Sequence, residues 1–278
     1  MNRFILVFIH LLYISYPCFG YELSICCIFQ NDSKYLPEWI EFHQDRGVEH
    51  FYLYNNLSED NYKEILDPYI RSGLVEVFEW PFRYKVESQW TKIQCDAYMD
   101  CIRRIHQQDT WCAFLDTDEF LFSPLNHDIK TTLNLYSDCV GIGVNWVMYG
   151  TSDVEQIPDG EKMLDHLVKR SSLDFYGNDT PKSIVRPRYV ETCINPHNFF
   201  MKNDLPIVNE NKVIIPMTNF TVKNSVKKLR INHYWSRDKD FFYNVKLPRR
   251  LKWYPNVDEQ IKLESMLNDV YDPILSSK

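Results

Sequence analysis

WCAFLDTDEFLF (111–122) runs apolar, turns polar through Asp116, Thr117, Asp118 and Glu119, and runs apolar again. A bare D-x-D is most often a solvated acidic turn. Here apolar residues press in from both sides, which argues against a solvated turn. Two carboxylates one residue apart at a strand end can share a hard divalent cation, magnesium or manganese, that keeps positions open for phosphate oxygens. A cation held this way neutralises a departing diphosphate. Transfer of a sugar from a nucleoside diphosphate needs that arrangement.

Upstream of this stretch, strands and helices alternate. LSICCIF (23–29) is a continuous apolar run of the kind expected for a strand covered on both faces, HFYLYN (50–55) is a second strand, LVEVFEW (74–80) alternates as a third and WCAFLD (111–116) is a fourth, apolar one. Helical patterns fill the gaps at 34–46, 58–73 and 89–106, the second with Ser58 as expected N-cap and Gly73 as its end. Such alternation predicts an α/β fold with parallel strands joined by right-handed crossovers. Ligands bind at the carboxyl ends of such strands. Asn31 and Asp32, Asn55 and Asn56, and the D-x-D all fall there. A haloacid-dehalogenase-type phosphatase also carries D-x-D after an apolar strand, but after the first one and with a small residue and Thr following. Here it follows the fourth strand, and Glu119 and Phe120 come next.

Downstream the pattern loosens. A helix is expected at 127–137, a long strand at 139–150 and a short helix at 161–169. Mixed short strands are expected at 183–193, 198–202 and 212–223, a strand at 229–234, and helices at 238–246 and 257–269. Those last helices form an expected C-terminal cap, about 238–272, on a single domain spanning 21–278.

The 278 residues carry a net charge of −7, and no basic run is long enough to suggest a nucleic-acid surface, so no nucleic-acid polymer is expected as a partner. Residues 4–16 are apolar behind Arg3, and Cys18 and Gly20 suit a cleavage site, so 1–20 are expected to be a signal peptide or signal-anchor. That implies a membrane or secretory-pathway location, a Golgi-type lumen in a eukaryote, with membrane association through 4–16. A cleaved, soluble form is the alternative. The eight cysteines include no C-x-x-C pair, and a Cys95–Cys101 bridge is conceivable in an oxidising lumen. Sequons begin at Asn31, Asn56, Asn178 and Asn219.

SICCIFQNDSKYLPEWIEFHQDRGVEHFYLYNN, WCAFLDTDEFLF, KSIVRP and LRINHYWS, in this order over roughly 22–255, together resemble glycosyltransferase family 92. The resemblance implies a GT-A-type, Rossmann-like, mixed but mostly parallel sheet flanked by helices. It further implies an inverting mechanism, a divalent metal (Mn2+, or Mg2+) and a UDP-sugar donor. Galactose is the expected hexose and a glycan the expected acceptor. By the same resemblance Asp116 and Asp118 are the metal and ribose/diphosphate carboxylates, Glu119 is the acidic residue after them, and His233 is a late histidine able to complete the metal shell. Asn31, Asp32, Asn55 and Asn56 match the uridine-binding strand ends. Gln30 and Asp32 stand where Lys and Glu are common, and Asn55 where Asp is common.

Six further positions carry expectations of their own. Lys182 and Arg186, in PKSIVRP, are candidates for diphosphate or acceptor contacts. Trp146 and Tyr149 are candidates for an acceptor platform, because aromatic faces stack on sugars. Asp153 and Glu155, on the loop that follows, are candidates for the base that inversion requires. The helical stripe Trp39, Ile40 and His43 reads as core. A non-catalytic carbohydrate-binding protein stands beside the phosphatase as a second alternative, kept open by Gln30, Asp32 and Asn55.

Overall fold

A computed structural model of the chain describes residues 20–216 and 222–277. Its first half alternates as expected: β1 (Leu23–Phe29), α1 (Leu36–Asp45), β2 (His50–Asn55), α2 (Tyr62–Arg71), β3 (Val75–Glu79), α3 (Glu87–Ile105) and β4 (Trp111–Phe114). These strands run parallel in the order β3-β2-β1-β4. The period of two along β1 divides its side chains between two cores. Ile25, Cys27 and Phe29 pack with Trp39, Ile40 and Leu66 of α1 and α2. Cys26 and Ile28 pack with Ala97, Tyr98 and Cys101 of α3. That sandwiching explains why β1 and β2 are buried over their whole length.

The second half contains β5 (Glu119–Phe122), α4 (Ile129–Leu133), β6 (Gly141–Met148), α5 (Met163–His166), β7 (Lys169–Arg170), β8 (Pro181–Val185), β9 (Val190–Asn195) and β10 (Asn198–Met201). β11 (Arg230–His233), α6 (Lys239–Phe241), α7 (Leu247–Leu251), α8 (Val257–Ser265) and β12 (Val270–Tyr271) complete it. One eight-stranded sheet runs β3-β2-β1-β4-β8-β6-β11-β5. β4–β8, β8–β6 and β11–β5 are antiparallel, and β6–β11 is parallel. β6 divides its pairing: 141–145 join β8, and 146–148 join β11. The sheet therefore turns along β6, and residues 115–118 can pass directly from β4 to β5 although three strands separate the two in sheet order. The D-x-D sits in that link.

Several expectations are corrected. The helix expected at 58–73 begins only at Tyr62, with Asn61 at its N-cap. Ser58 ties loops instead, its N–H donating to Asn55 Oδ1 and its Oγ accepting from Asn31 N. Pro68 lies inside α2 without ending it, and Gly73 closes it at φ +78°. Of the strand expected at 212–223, Ile214 makes an isolated bridge to Val208, and 217–221 lie outside the described residues. The C-terminal cap is broken into short pieces, with a π-turn at Phe242–Lys246 between α6 and α7.

Cys101 packs with Cys26 and Cys112 in the core below α3 and is not bridged to Cys95; the described cysteines are free thiols. Of the sequons, Asn178 is fully buried and hydrogen-bonded to Ser171, Ser172 and Met148, so it is a structural joint. Asn219 and the expected signal or anchor at 1–19 lie outside the described residues. Among the described residues no helix is long and apolar enough to cross a membrane.

Candidate functional site

A cleft of about 390 Å³ opens at the carboxyl ends of β1 and β4. Asp116, Thr117 and Asp118 form its floor, Gln30 and Asp32 come from β1, α3 supplies Gln94, and His233 stands at the end of β11. The C-terminal cap closes one side with Trp235, Arg237, Lys246, Arg249, Arg250 and Trp253.

Behind the floor lies a buried ionic cluster. Lys182 Nζ is 2.8 Å from Asp116 Oδ2 and 3.3 Å from Glu119 Oε2. Burial opposes the ammonium charge, but Asp116 and Glu119 outweigh it and hold the Lys182 pKa above the usual lysine value. Burial pushes the Glu119 carboxyl well up, reinforced by Asp116 and Asp118 and only partly offset by Lys182. Gln94 Nε2 donates to Asp116 Oδ1 at 2.8 Å, and Asp116 N donates to Glu119 Oε2 at 2.8 Å. Asp116 is thus fixed from both sides.

Asp118 faces the cleft. Its Oδ1 lies 3.4 Å from His233 Nε2 and its Oδ2 lies 3.4 Å from Lys246 Nζ. Burial alone would raise its pKa; Lys246, the hydrogen bond from His233, and Arg237 reverse the sign and hold it well below the usual carboxylate range. Burial lowers the His233 pKa, which keeps the imidazole neutral and able to ligate a metal. A carboxylate and a neutral imidazole are a donor pair that suits Mn2+ better than the oxygen-seeking Mg2+, with the open cleft left for phosphate and water oxygens. The residues therefore fit a divalent cation. The cage is not complete in protein alone: among the described residues no three His, Cys, Asp or Glu side chains form a preformed cluster.

A second clamp ties the β1 end to the D-x-D turn. Arg237 NH1 donates to Asp32 Oδ1 at 2.8 Å and NH2 to Thr117 Oγ1 at 3.1 Å, while Thr117 Oγ1 donates to Asp32 Oδ2 at 3.0 Å. The guanidinium is buried between Tyr35 and Phe241, 3.7 and 4.5 Å from their ring centroids.

The model of the family described as glycosyltransferase family 92 matches residues 21–261. This chain belongs to glycosyltransferase family 92. A family 92 protein of Ricinus communis is 26% identical over 80% of this chain and 38% of its own length. A β-1,4-galactosyltransferase of Caenorhabditis elegans is 22% identical over 80% of this chain and 50% of its own length. The chain thus spans half or less of these curated relatives. Among solved structures, Staphylococcus aureus TarS 1–349 with UDP-GlcNAc is similar at a TM-score of 0.44 and 12% identity, covering 90% of this chain and 68% of that one.

In this family 92 chain the structure gathers Asp32, Asp116, Asp118, Trp146 and His233 around one cleft. It does not bring the other expected residues there. Asn31 has φ +56°, is exposed, and accepts from Glu59 N at 2.7 Å. Asn55 is buried and spends its amide on Tyr62 OH and Glu79 Oε2. Asn56 is buried and donates to Trp80 O and Phe82 O. All three hold loops together instead of lining the cleft. Lys182 lies behind the floor and is spent on Asp116 and Glu119. Arg186 sits at the opposite end of β8, stacked on Trp111 at 4.1 Å and donating to Cys139 O. Tyr149 is core: it is fully buried, accepts from Arg230 NH2 and donates to Asp272 O. Asp153 and Glu155 are exposed surface acids paired with Lys169 and Lys239.

Sequence reasoning missed Gln94, Arg237 and the α7 cations. Gln94 left a trace, as a polar residue within the apolar stripe of α3. Arg249 and Arg250 are visible as a basic pair, but nothing local shows that they face a cleft.

Proposed function

We propose that this chain transfers a hexose, galactose, from a UDP-sugar to a glycan acceptor with inversion, assisted by Mn2+ or Mg2+. The observation that carries the proposal is the pairing of Asp118 with a neutral His233 at the floor of a cleft that cations line on its other side. Family membership and the name of the Caenorhabditis elegans relative support the sugar and the linkage chemistry. When bound, a divalent cation would be held by Asp118 and His233 and would neutralise charge on the leaving diphosphate. Asp116 is held by Lys182 and Gln94 and keeps the turn in place. Asp32, fixed by Arg237 and Thr117, borders the nucleotide side. Trp146, whose buried Nε1–H has no partner among the described residues, stands ready to donate to a sugar. Glu87 lines the cleft, and the Tyr254 hydroxyl donates to it at 2.9 Å, a position that suits it to receive the acceptor proton. A D-x-D phosphatase would need Asp116 as a free nucleophile, and Lys182 and Gln94 occupy both of its oxygens. Delivery to a secretory lumen by residues 1–20 belongs to the same proposal, and that is where UDP-sugars would meet glycan acceptors.

Calorimetric titration of the full chain with UDP, with and without Mn2+, tests the site. Binding that requires the metal and disappears in Asp118→Asn is expected. Absence of UDP binding by folded wild type would remove the transferase proposal, and glycan binding without metal or UDP would favour a carbohydrate-binding protein.

A further inference from the structure

Lys246 reaches Asp118 from an irregular piece of backbone. The π-turn Phe242–Lys246 joins α6 to α7, and such single wide turns often mark functional sites. The ammonium stops 3.4 Å from Asp118 Oδ2, while His233 Nε2 faces the other oxygen, Oδ1. Both side chains are mostly buried, at 16% and 13% exposure. The ammonium also lies 5.2 Å from the Trp235 ring centroid, so its position is fixed by packing as well as charge. Arg249 and Arg250 follow three and four residues on and line the same cleft. Arg250 gives its Nε to the neutral Gln260 Oε1 at 3.1 Å. Beside Arg237, which is engaged with Asp32, this side of the cleft therefore presents three further cations, and Asp118 is the carboxylate that Lys246 meets.

A divalent cation that takes both Asp118 and His233 finds one carboxylate oxygen already claimed. If the ammonium leaves, it moves toward Arg249 and Arg250, where like charge repels it. A diphosphate placed between these cations removes that penalty. We propose that Lys246 is the resident counter-cation of Asp118, that a divalent cation displaces it, and that the nucleotide diphosphate receives the displaced ammonium beside Arg249 and Arg250. Metal and nucleotide then strengthen each other's binding by the same factor, because linkage between two binding equilibria is reciprocal. The inference rests on Asp118 and His233 being the metal ligands.

The test is Mn2+ titration of the full chain without nucleotide and then with saturating UDP, using wild type, Lys246→Met, Lys246→Arg and Asp118→Asn. Circular dichroism verifies that each variant is folded. Lys246→Met is expected to bind Mn2+ alone about tenfold more tightly than wild type, with the UDP-dependent gain in Mn2+ affinity reduced by a similar factor. Lys246→Arg keeps the cation and is expected to stay near wild type. Equal Mn2+ affinity of wild type and Lys246→Met without UDP, lost in Asp118→Asn, would overturn the role of Lys246 while leaving the metal site standing. No Mn2+ binding by wild type or Lys246→Met, with or without UDP, would overturn the metal site itself and the inference with it.

Discussion

Lys182 Nζ lies 3.3 Å from Glu119 Oε2, and neither side chain is reached by solvent. Lys182 also carries Asp116, so one buried ammonium supports both the floor of the cleft and the first residue of β5. Its removal leaves the Asp116 and Glu119 carboxyls without their shared cation. Lys182→Met should lower stability in urea unfolding by about 3 to 5 kcal/mol, the usual cost of breaking a buried ion pair. Adding Glu119→Gln should recover part of that loss. An unchanged unfolding midpoint for Lys182→Met would show the cluster to be dispensable.

His43 provides a pH dependence with a definite sign. Leu121 N donates to its Nε2 at 3.0 Å, and its Nδ1 faces Trp39 O at 2.7 Å, so the ring is held neutral. Burial lowers its pKa from 6.5 to about 3, and His197 shifts to about 3 as well, also mainly by burial. The unfolded chain therefore binds more protons than the folded one between these values. Stability should fall as pH drops below about 6.5, by at most about 1.4 kcal/mol per pH unit for each histidine, and the loss should level off below about 3. Urea unfolding at a series of pH values checks this. His43→Gln, which keeps a donor and an acceptor, should reduce the slope. A wild-type stability that stays flat across this window would contradict the assignment.

Asp153 and Glu155 should prove dispensable. Their side chains are 67% and 82% exposed and pair with surface lysines away from the cleft. Alanine at either position should leave the transfer rate within about threefold of wild type, in line with exposed ion pairs contributing little. A loss of about a hundredfold or more would return one of them to the list of candidate bases.

Trp146 lines the cleft edge-on to His197 and His233, at centroid distances of 5.2 and 4.4 Å. Its indole N–H is buried and has no partner among the described residues. Trp146→Phe keeps the packing and removes that donor. The acceptor KM should rise about five- to tenfold, the worth of one hydrogen bond, with UDP affinity unchanged. A weaker UDP affinity with an unaltered acceptor KM would place Trp146 on the donor side.

The segment PKSIVRP shows how far local sequence carries. Lys182 and Arg186 look equivalent there, four residues apart. β8 runs antiparallel to β4, with Cys112 opposite Val185, so the start of β8 lies at the cleft and its end at the far edge of the sheet. At about 3.3 Å per residue, the two cations are roughly 13 Å apart. The strand ends behave similarly. Asn31, Asn55 and Asp32 all follow apolar strands, but the positive φ of Asn31 and the buried partners of Asn55 turn them into loop ties, and Asp32 alone of the three reaches the cleft.

The parallel strands β1–β4, the helices between them and the D-x-D just past β4 are legible in the sequence. These follow from apolar period and strand-end polarity, which are local. Which polar groups face the cleft is set by tertiary pairing. β6 pairs with two different strands along its length, β5 returns beside β11, and the π-turn carries Lys246 onto Asp118. Those placements depend on pairings between residues far apart in the chain, and no local pattern encodes the direction from which such a partner arrives.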